Sequence, residues 1–358
     1  MKKIGLLTYH DTINYGSLLQ TYATYRAIEE ITGNSRSVEL IDYKCAEIAK
    51  RETIYSLSSC RTLSDIIKSI LWNSSLKKKK EAFWRFIDQN MKLSKSYTLD
   101  TIAEVNRMYD IFLVGSDIVW SLDITGHDYT YYLDFADDDK KKVSFSSSVG
   151  TKWIDEDEEQ IRKQLNRFDE ICVREQMAKE WIQPIVEKEV HVTCDPTMLW
   201  TGEDWKKMQE EAYAPKGRYV LIYLRTDDQK NVSDGIEYAR KHNIPAYYIN
   251  YGKPVLGAKT VRPESIERWL ALFANADTVF SASYHGLLFG LYFHKNVFYY
   301  NRGNKSRMLS FGKEFDIEYR EGNGINLQKD IPICYEAVDK IMEKKRAYSW
   351  DMLRKLVE

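Results

Sequence analysis

The chain has 358 residues, of which 44% are apolar and 29% are charged, with a formal net charge of −1 at pH 7. A charge so close to zero gives no case for broad nucleic-acid binding, so no nucleic-acid partner is expected. No segment of the sequence approaches an uninterrupted apolar membrane span. The length is sufficient for two hydrophobic cores.

The numbers and spacing of the cysteines and histidines indicate the cellular compartment and argue against a metal site. The five cysteines are scattered without a CxxC pair, which favours reduced thiols in the cytosol. The six histidines show no HxH or HxxxH spacing, so we predict neither a metal nor a cofactor. The apolar run at the N-terminus is too short for a signal peptide. We expect a cytoplasmic protein with at most peripheral membrane contact, the inner face of the membrane being an open alternative.

The first half of the chain alternates short apolar runs with helical patterns. Strands are predicted at residues 3–8, 38–42, 111–114, 143–145, 171–173 and 190–192, and helices at 16–30 and 158–168. Residues 45–96 have the pattern of a basic helical insertion. Pro196 and Pro215 punctuate the exit from this region, which predicts a first domain at residues 1–211.

The second half restarts the alternation. Strands are predicted at residues 219–223, 246–249, 278–280 and 297–300, and helices at 231–242, 265–274 and 287–293. These elements predict a second domain at residues 212–330, and residues 331–358 predict an amphipathic helix that packs back across the junction. The fold class expected is α/β, with two Rossmann-like domains facing a cleft.

A polar turn follows the first predicted strand. Asn14, Gly16 and Ser17 supply turn and N-cap chemistry there, and the turn could hold a ligand's phosphate or hydroxyls above the sheet. A plain helix cap is the alternative. The turn has neither a GxxxxGK[ST] nor a GxGxxG motif, which argues against nucleotide hydrolysis and dinucleotide binding.

Two more polar turns follow predicted strands of the first half. Ser116 and Asp117 could bind or deprotonate sugar hydroxyls, although an Asx turn would use the same residues. Arg174 follows the strand at 171–173, and its guanidinium suits carboxylate or phosphate oxygens. Pairing of Arg174 with the adjacent Glu175 is the alternative interpretation.

The late segment at residues 278–293 predicts a buried strand, a polar turn and an apolar helix. His285 lies in the turn, at the carboxyl end of a strand, where open α/β sheets bind ligands. The following helix offers N–H groups to an anion, and Gly286 would let a phosphate or carboxylate approach the backbone. A core histidine that caps a helix would show the same pattern.

Short segments of this kind recur in a fixed order along most of the chain. Each is weakly specific alone, but the ordered set resembles the polysaccharide pyruvyl transferase family. The likeness spans residues 2–320. The matching segments are residues 14–20, 114–120, 132–135, 146–150, 173–175, 194–197, 269–270 with 275–277, and 283–286.

The resemblance implies a fold similar to GT-B glycosyltransferases, with a donor-side second domain and an acceptor-side first domain. It also implies transfer of a pyruvyl group from phosphoenolpyruvate to a saccharide, usually as a ketal bridging two hydroxyls, in surface polysaccharide biosynthesis. By position it assigns Arg174 and His285 to the donor, and we place Tyr284 and Gly286, the neighbours of the histidine, on the donor side as well. On the acceptor side we place Asn14, Tyr15, Gly16, Ser116 and Asp117, with His285 and Asp117 as the catalytic residues.

One position departs from the pattern. Some members have an arginine two residues before the histidine, where this chain has Ser283. Arg307, which lies in a segment that resembles a late family motif, is the preferred substitute donor ligand. The other candidates are Arg225, Arg302 and Lys305.

Two rival functions share this fold class. One is a glycosyltransferase that uses a nucleotide sugar, and the other is a saccharide-binding protein without turnover, which the departure at Ser283 keeps open. The sequence leaves open the acceptor sugar, the bridged hydroxyls, a lipid link on the acceptor, and the oligomeric state.

Overall fold

The computed structural model describes residues 2–33, 38–52, 63–224, 229–301 and 307–358. The chain divides into two compact units. Unit 1 comprises Met1–Thr53, Phe83–Trp200 and Glu343–Glu358, and unit 2 comprises Ile54–Ala82 and Thr201–Met342. The boundary after Trp200 falls before residue 211, where the sequence predicts the end of the first domain.

Unit 1 is built on a seven-stranded sheet in the order β3-β2-β1-β4-β5-β6-β7, with every paired strand parallel. Parallel sheets are covered on both faces, which explains why β1 and β4 are continuous apolar runs without an exposed residue. The strands are β1 (Ile4–Leu7), β2 (Val38–Tyr43), β3 (Leu93–Tyr97), β4 (Ile111–Val114), β5 (Lys141–Ser147), β6 (Glu170–Val173) and β7 (Val190–Val192).

Helices connect successive strands, as parallel pairing requires. The helix after β1 begins at the N-cap Asn14 and ends at Gly33, whose φ of 54° is the left-handed conformation that favours glycine. The helices in the first part of the chain are α1 (Tyr15–Thr32), α2 (Ala46–Arg51), α3 (Leu63–Asn90), α4 (Leu122–Thr125), α5 (Asp155–Leu165) and α6 (Gln176–Ile182).

Unit 2 is built on a five-stranded parallel sheet in the order β10-β9-β8-β11-β12. Its strands are β8 (Val220–Tyr223), β9 (Ala246–Ile249), β10 (Lys259–Val261), β11 (Thr278–Ser281) and β12 (Asn296–Tyr299). The remaining helices are α7 (Gly202–Lys206), α8 (Gln229–Lys241), α9 (Ile266–Asn275), α10 (Tyr284–Tyr292), α11 (Arg307–Glu314), α12 (Gly324–Lys329) and α13 (Tyr335–Val357).

The structure adds two edge strands that the sequence does not predict. Leu93–Tyr97 forms β3 at the end of the segment predicted as helical, and Lys259–Val261 forms β10. An edge strand has a partner on one side only and buries little, so β3 carries a largely polar sequence that lacks the apolar run of the central strands. The helical insertion predicted at residues 45–96 therefore stops at Asn90, before β3.

The late helix also begins earlier than predicted. The sequence predicts a polar turn up to residue 286, whereas α10 starts at Tyr284. Ser283 is the N-cap, and its side chain accepts a hydrogen bond from the Gly286 N–H. His285 is consequently a residue of the first helical turn.

Among the residues that the structure describes, no helix is both long enough and apolar enough to cross a membrane.

Candidate active site

The polar residues of unit 1 gather at one edge of its sheet. Because the strands are parallel, the segments after β1, β4, β5 and β6 all leave the sheet at its carboxyl edge, where α/β proteins bind ligands. This edge brings Arg174 within 3.4 Å of the Ser116 hydroxyl, 58 residues earlier in the chain. The two predicted turns are therefore neighbours in space.

Arg174 is buried and paired with carboxylates. Its Nε donates to Glu175 at 2.9 Å, and one terminal nitrogen donates to Asp195 at 3.1 Å. The side chains of Arg174 and Asp195 are 1% and 0% exposed, so this is a fully desolvated ion pair. Ser148 also donates to Glu175, at 2.9 Å. The pairing with Glu175 that the sequence left as an alternative is present, and it is joined by a second carboxylate.

Asp117 is held in an unusual backbone conformation. Its φ is 81°, a region that residues other than glycine seldom occupy and that is enriched at functional sites. One carboxylate oxygen accepts from the Ile118 N–H at 2.8 Å, and the other accepts from the Ser17 hydroxyl. Asp117 is only 9% exposed. The strained backbone thus aims the carboxylate at the start of α1.

The start of α1 has the cap geometry that the sequence predicts. The Asn14 side chain accepts from the Gly16 N–H at 3.0 Å. Tyr15 is buried, and its ring packs edge-on against Phe83 at a centroid distance of 5.2 Å. Asn14 is exposed at this edge and could contact a ligand, whereas Tyr15 has the contacts of a core residue.

The late segment of unit 2 places three of the predicted donor residues in one helical turn. His285 is 9% exposed and lies beside Tyr284, with ring centroids 5.5 Å apart. The Tyr284 ring also packs edge-on against Phe311 of α11. Since Arg174 belongs to unit 1 and His285 to unit 2, their joint action on one donor stays a prediction.

Gly286 is required by packing within unit 2. A Cβ at this position would lie 2.3 Å from the Ser281 hydroxyl oxygen and 2.8 Å from a ring carbon of Tyr223. Only glycine lets α10 approach β8 and β11 this closely. The sequence predicts that Gly286 lets a ligand approach the backbone. In the structure the side chains of Ser281 and Tyr223 make this close approach.

The substitutes considered for the missing arginine fall mostly outside the described structure. Arg225, Arg302 and Lys305 lie outside the described residues. Arg307 is the first residue of α11, but its side chain is also outside the described part of the chain. Their roles stay predictions.

The structure reveals a recess that the sequence analysis missed. It lies at the carboxyl ends of β1 and β2 in unit 1, and we refer to it as the β1–β2 recess. The signal in the sequence is a pair of polar strand ends, with His10 and Asp11 shortly after β1 and Lys44 directly after β2. Its lining residues include Tyr9, His10, Asp11, Tyr43, Lys44 and Tyr131.

A chain of hydrogen-bonded charges forms the polar side of the β1–β2 recess. Lys44 donates to Asp11 at 2.9 Å and to Asp42 at 2.8 Å. The Asp42 carboxylate also accepts from His10 Nε2 at 2.9 Å. The other ring nitrogen of His10, Nδ1, lies 3.2 Å from the Thr8 carbonyl oxygen.

Asp42 is the centre of this cluster. Burial alone would raise the pKa of its carboxyl, but the hydrogen bonds from His10, Lys44 and Ser96 outweigh burial and hold the pKa well below its ordinary value. The pKa of Lys44 is raised: burial would lower it, and the hydrogen bonds to Asp42 and Asp11 outweigh that cost. Both groups therefore stay charged at neutral pH.

A family model described as polysaccharide pyruvyl transferase matches residues 14–304. No match was found among curated proteins. The match covers most of the chain and includes the segments of Asn14, Asp117, Arg174 and His285.

Solved structures of similar fold include UDP-GlcNAc 2-epimerases. The enzyme from Neisseria meningitidis, bound to UDP-GlcNAc, is 10% identical over 99% of this chain and 94% of its own, with a TM-score of 0.52. The enzyme from Methanocaldococcus jannaschii is 12% identical over 96% and 92%, with a TM-score of 0.50. At this identity the likeness shows the fold alone, and it confirms the predicted α/β class with two parallel sheets of the GT-B type.

Proposed function

Because this chain belongs to the polysaccharide pyruvyl transferase family, we propose that it transfers a pyruvyl group from phosphoenolpyruvate to a saccharide, forming a pyruvate ketal during surface polysaccharide biosynthesis. The family match over residues 14–304 is the observation that carries this proposal. We place the reaction in the cytoplasm, in keeping with the scattered cysteines, and a lipid-linked acceptor would bring the protein to the inner face of the membrane.

The donor chemistry explains the residue types on the donor side. Phosphoenolpyruvate carries a carboxylate and a phosphate, so its binding calls for fixed positive charge and N–H donors. In ketal formation two sugar hydroxyls lose their protons and their oxygens bond to the central carbon of phosphoenolpyruvate. The methylene carbon gains one proton and becomes a methyl group, and the bond from the central carbon to the phosphate oxygen breaks, so that phosphate leaves with the second proton. His285 is the proposed proton donor, because an imidazole can exist in both protonation states near neutral pH.

Arg174 is a proposed donor ligand whose charge is shared. Glu175 and Asp195 already accept from its guanidinium, so an incoming phosphate or carboxylate would compete with both. Removing the guanidinium would also break the buried ion pair with Asp195, and breaking such a pair destabilises a protein by about 3–5 kcal/mol. An Arg174 variant therefore confuses binding with folding, and His285 is the better residue to test.

On the acceptor side, Asp117 is the proposed ligand or base for a sugar hydroxyl. Its positive φ of 81° supports this role, because such strain persists where the site requires it. Ser116 and the exposed Asn14, with Gly16 beside it, are the proposed neighbouring contacts. Tyr15 is proposed to shape this wall through its packing on Phe83.

The test is a thermal-shift titration with phosphoenolpyruvate on the wild type and on His285→Gln. A ligand at about 100 times its Kd stabilises a protein by about 2.7 kcal/mol, so the wild-type Tm should rise with concentration. We expect the rise to be largely lost in His285→Gln. Pyruvate and inorganic phosphate added separately should give smaller shifts.

The matched control is His294→Gln, an exposed histidine of unit 2 that pairs with Asp339. It should keep the full response to phosphoenolpyruvate. A wild type that responds to a nucleotide sugar and not to millimolar phosphoenolpyruvate would replace pyruvyl transfer with glycosyl transfer. An unchanged response in His285→Gln would remove His285 from the donor site.

A further inference from the structure

We propose that Glu175 sets the affinity of the site for its anionic donor, because it occupies the Arg174 guanidinium until the donor displaces it. This inference rests on the proposed function, since it specifies how Arg174 becomes available to phosphoenolpyruvate. Glu175 acts on the donor through Arg174, so it is a positioning residue and not a donor ligand. The ion pair between the two residues is then the resting state of the donor site.

The Arg174 guanidinium is covered in the structure. Its side chain is 1% exposed, so an anion in solvent reaches it only when a covering group moves. Its Nε donates to Glu175 at 2.9 Å, and one terminal nitrogen donates to Asp195 at 3.1 Å. One of these carboxylates therefore has to leave before a carboxylate or phosphate of the donor takes its place.

The charge balance around Arg174 leads to the same requirement. Two carboxylates face one guanidinium, so negative charge is in excess among the three groups. An added anion would be repelled by both carboxylates. Once one carboxylate has moved away, the guanidinium again offers hydrogen-bond donors to a new anion.

Asp195 is the carboxylate that stays with Arg174. Its side chain is 0% exposed. The oxygen that does not contact Arg174 accepts from the Thr197 N–H at 3.0 Å and from the Thr197 hydroxyl at 2.7 Å. Moving Asp195 would break these bonds together with a buried ion pair, which is costly in a desolvated site.

Glu175 is the carboxylate that lies closer to solvent. Its side chain is 14% exposed, and the oxygen that contacts Arg174 also accepts from the Ser148 hydroxyl at 2.9 Å. Glu175 occupies the N-cap position of α6, but its side chain makes no capping hydrogen bond, so no helix cap is lost when it moves. Water can solvate a carboxylate at this depth after it leaves the guanidinium. Glu175 is therefore the group that the donor displaces.

The test is a calorimetric titration of the full-length protein with phosphoenolpyruvate, on the wild type, Glu175→Gln and the control Glu180→Gln. Glutamine keeps the shape of the side chain and an oxygen that can accept from Arg174, but it removes the negative charge. We expect the Kd of Glu175→Gln to be about fivefold lower than that of the wild type, the difference between a hydrogen bond to a charged group and one to a neutral group. Glu180 is an exposed glutamate of the same helix, and its substitution should leave the Kd unchanged.

Ser148→Ala tests the same competition without changing the charge. It removes one hydrogen bond from the Glu175 carboxylate, so that this carboxylate leaves Arg174 more readily. We expect a Kd about threefold lower than that of the wild type. A variant that only damaged the fold would bind the donor more weakly, so tighter binding separates displacement of Glu175 from a structural role.

Two results would overturn the inference and leave pyruvyl transfer in place. One is a Kd of Glu175→Gln at or above the wild-type value. The other is an equal gain in Glu180→Gln, because the overall charge of the protein would then explain the effect. Failure of the wild type and of both site variants to bind phosphoenolpyruvate would reject the proposed donor and the inference together.

The Tm of each variant without ligand shows whether it folds. If Glu175→Gln had a strongly lowered Tm, the Kd of Ser148→Ala would decide, since that variant keeps the ion pair of Arg174 with Glu175. A wild-type Kd in Ser148→Ala would then overturn the inference.

Discussion

Asp42 and Arg174 show how a buried charge in this chain acquires its partners. Asp42 lies in β2 but is satisfied by residues after β1 and β2 and by Ser96 of β3. Arg174 is satisfied by its neighbour Glu175 and by Asp195, which follows β7. An isolated buried charge is expensive, so each cluster stabilises the protein only while all its members are present.

The Asp42 cluster makes a pH-dependent contribution to stability. The pKa of Asp42 lies below its ordinary value of 3.8, so the folded state favours the carboxylate. That contribution is complete above pH 3.8 and disappears as the pH falls through the lower, folded-state pKa. We expect Asp42→Asn to lower the free energy of unfolding by about 3–5 kcal/mol at pH 7, because His10 and Lys44 lose their shared partner.

The measurement is urea unfolding of wild type and Asp42→Asn between pH 7 and pH 2.5. The gap between the two proteins should be widest at neutral pH and should narrow below pH 3.8. Asp123→Asn, an exposed position on α4, is the control and should follow the wild type throughout. A gap that is constant across the whole range would show that Asp42 contributes through shape and not through charge.

At the scale of the element, the junction of β11 and α10 is set by small residues. Ser281 accepts from the Ser283 N–H at 3.1 Å, and Ser283 caps the helix. Gly286 then lets the first turn of α10 lie directly on Ser281 and Tyr223. This packing holds His285 in place, whatever ligand it meets.

Gly286→Ala tests that account. The added Cβ would lie 2.3 Å from the Ser281 oxygen, so the neighbours must shift, and overpacking of this kind costs about 1–3 kcal/mol. The control is Gly324→Ala at the start of α12, where a Cβ would meet nothing within 4 Å. Urea midpoints without ligand should fall for Gly286→Ala and not for Gly324→Ala. Equal midpoints would mean that Gly286 serves a ligand rather than the packing of α10.

At the scale of the whole molecule, the end of α13 belongs to unit 1. Arg346 donates to the Met198 carbonyl oxygen at 2.8 Å, and the Ser349 hydroxyl accepts from the Cys194 N–H at 2.9 Å. Leu353 and Leu356 are fully buried. The sequence predicts a helix that packs back across the domain junction. The contacts of Arg346, Ser349, Leu353 and Leu356 are the ones that the last turns of α13 make within unit 1.

Deleting residues 343–358 should loosen unit 1 selectively. Hydrogen exchange of β6, β7 and residues 194–199 should become faster, because each buried leucine removed costs about 2–5 kcal/mol. The strands β8–β12 of unit 2 should keep their wild-type exchange. Removing only the exposed Glu358 is the control. Faster exchange confined to unit 2 would contradict this assignment of the helix.

Periodicity in the sequence determined the α/β class, the central strands of both sheets and the polar residues that follow them. These predictions succeeded because an apolar run flanked by turn residues indicates a buried strand. When such strands pair in parallel, their carboxyl ends all lie at one edge of the sheet. It failed for the edge strands β3 and β10, where little burial leaves little pattern. It also placed the start of α10 too late, because Tyr284 and His285 do not look like the first residues of an apolar helix.

Only the tertiary structure decided which side chains share a site. Ser17 donates to Asp117, 100 residues later in the chain, and Arg174 donates to Asp195. His10, Asp42 and Lys44 likewise come from different segments and meet in one recess. Local sequence patterns predict which residues are buried and where helices are capped, because both depend on neighbouring residues. Contacts between strand ends depend on strand order and register, which are fixed only when the sheet is assembled.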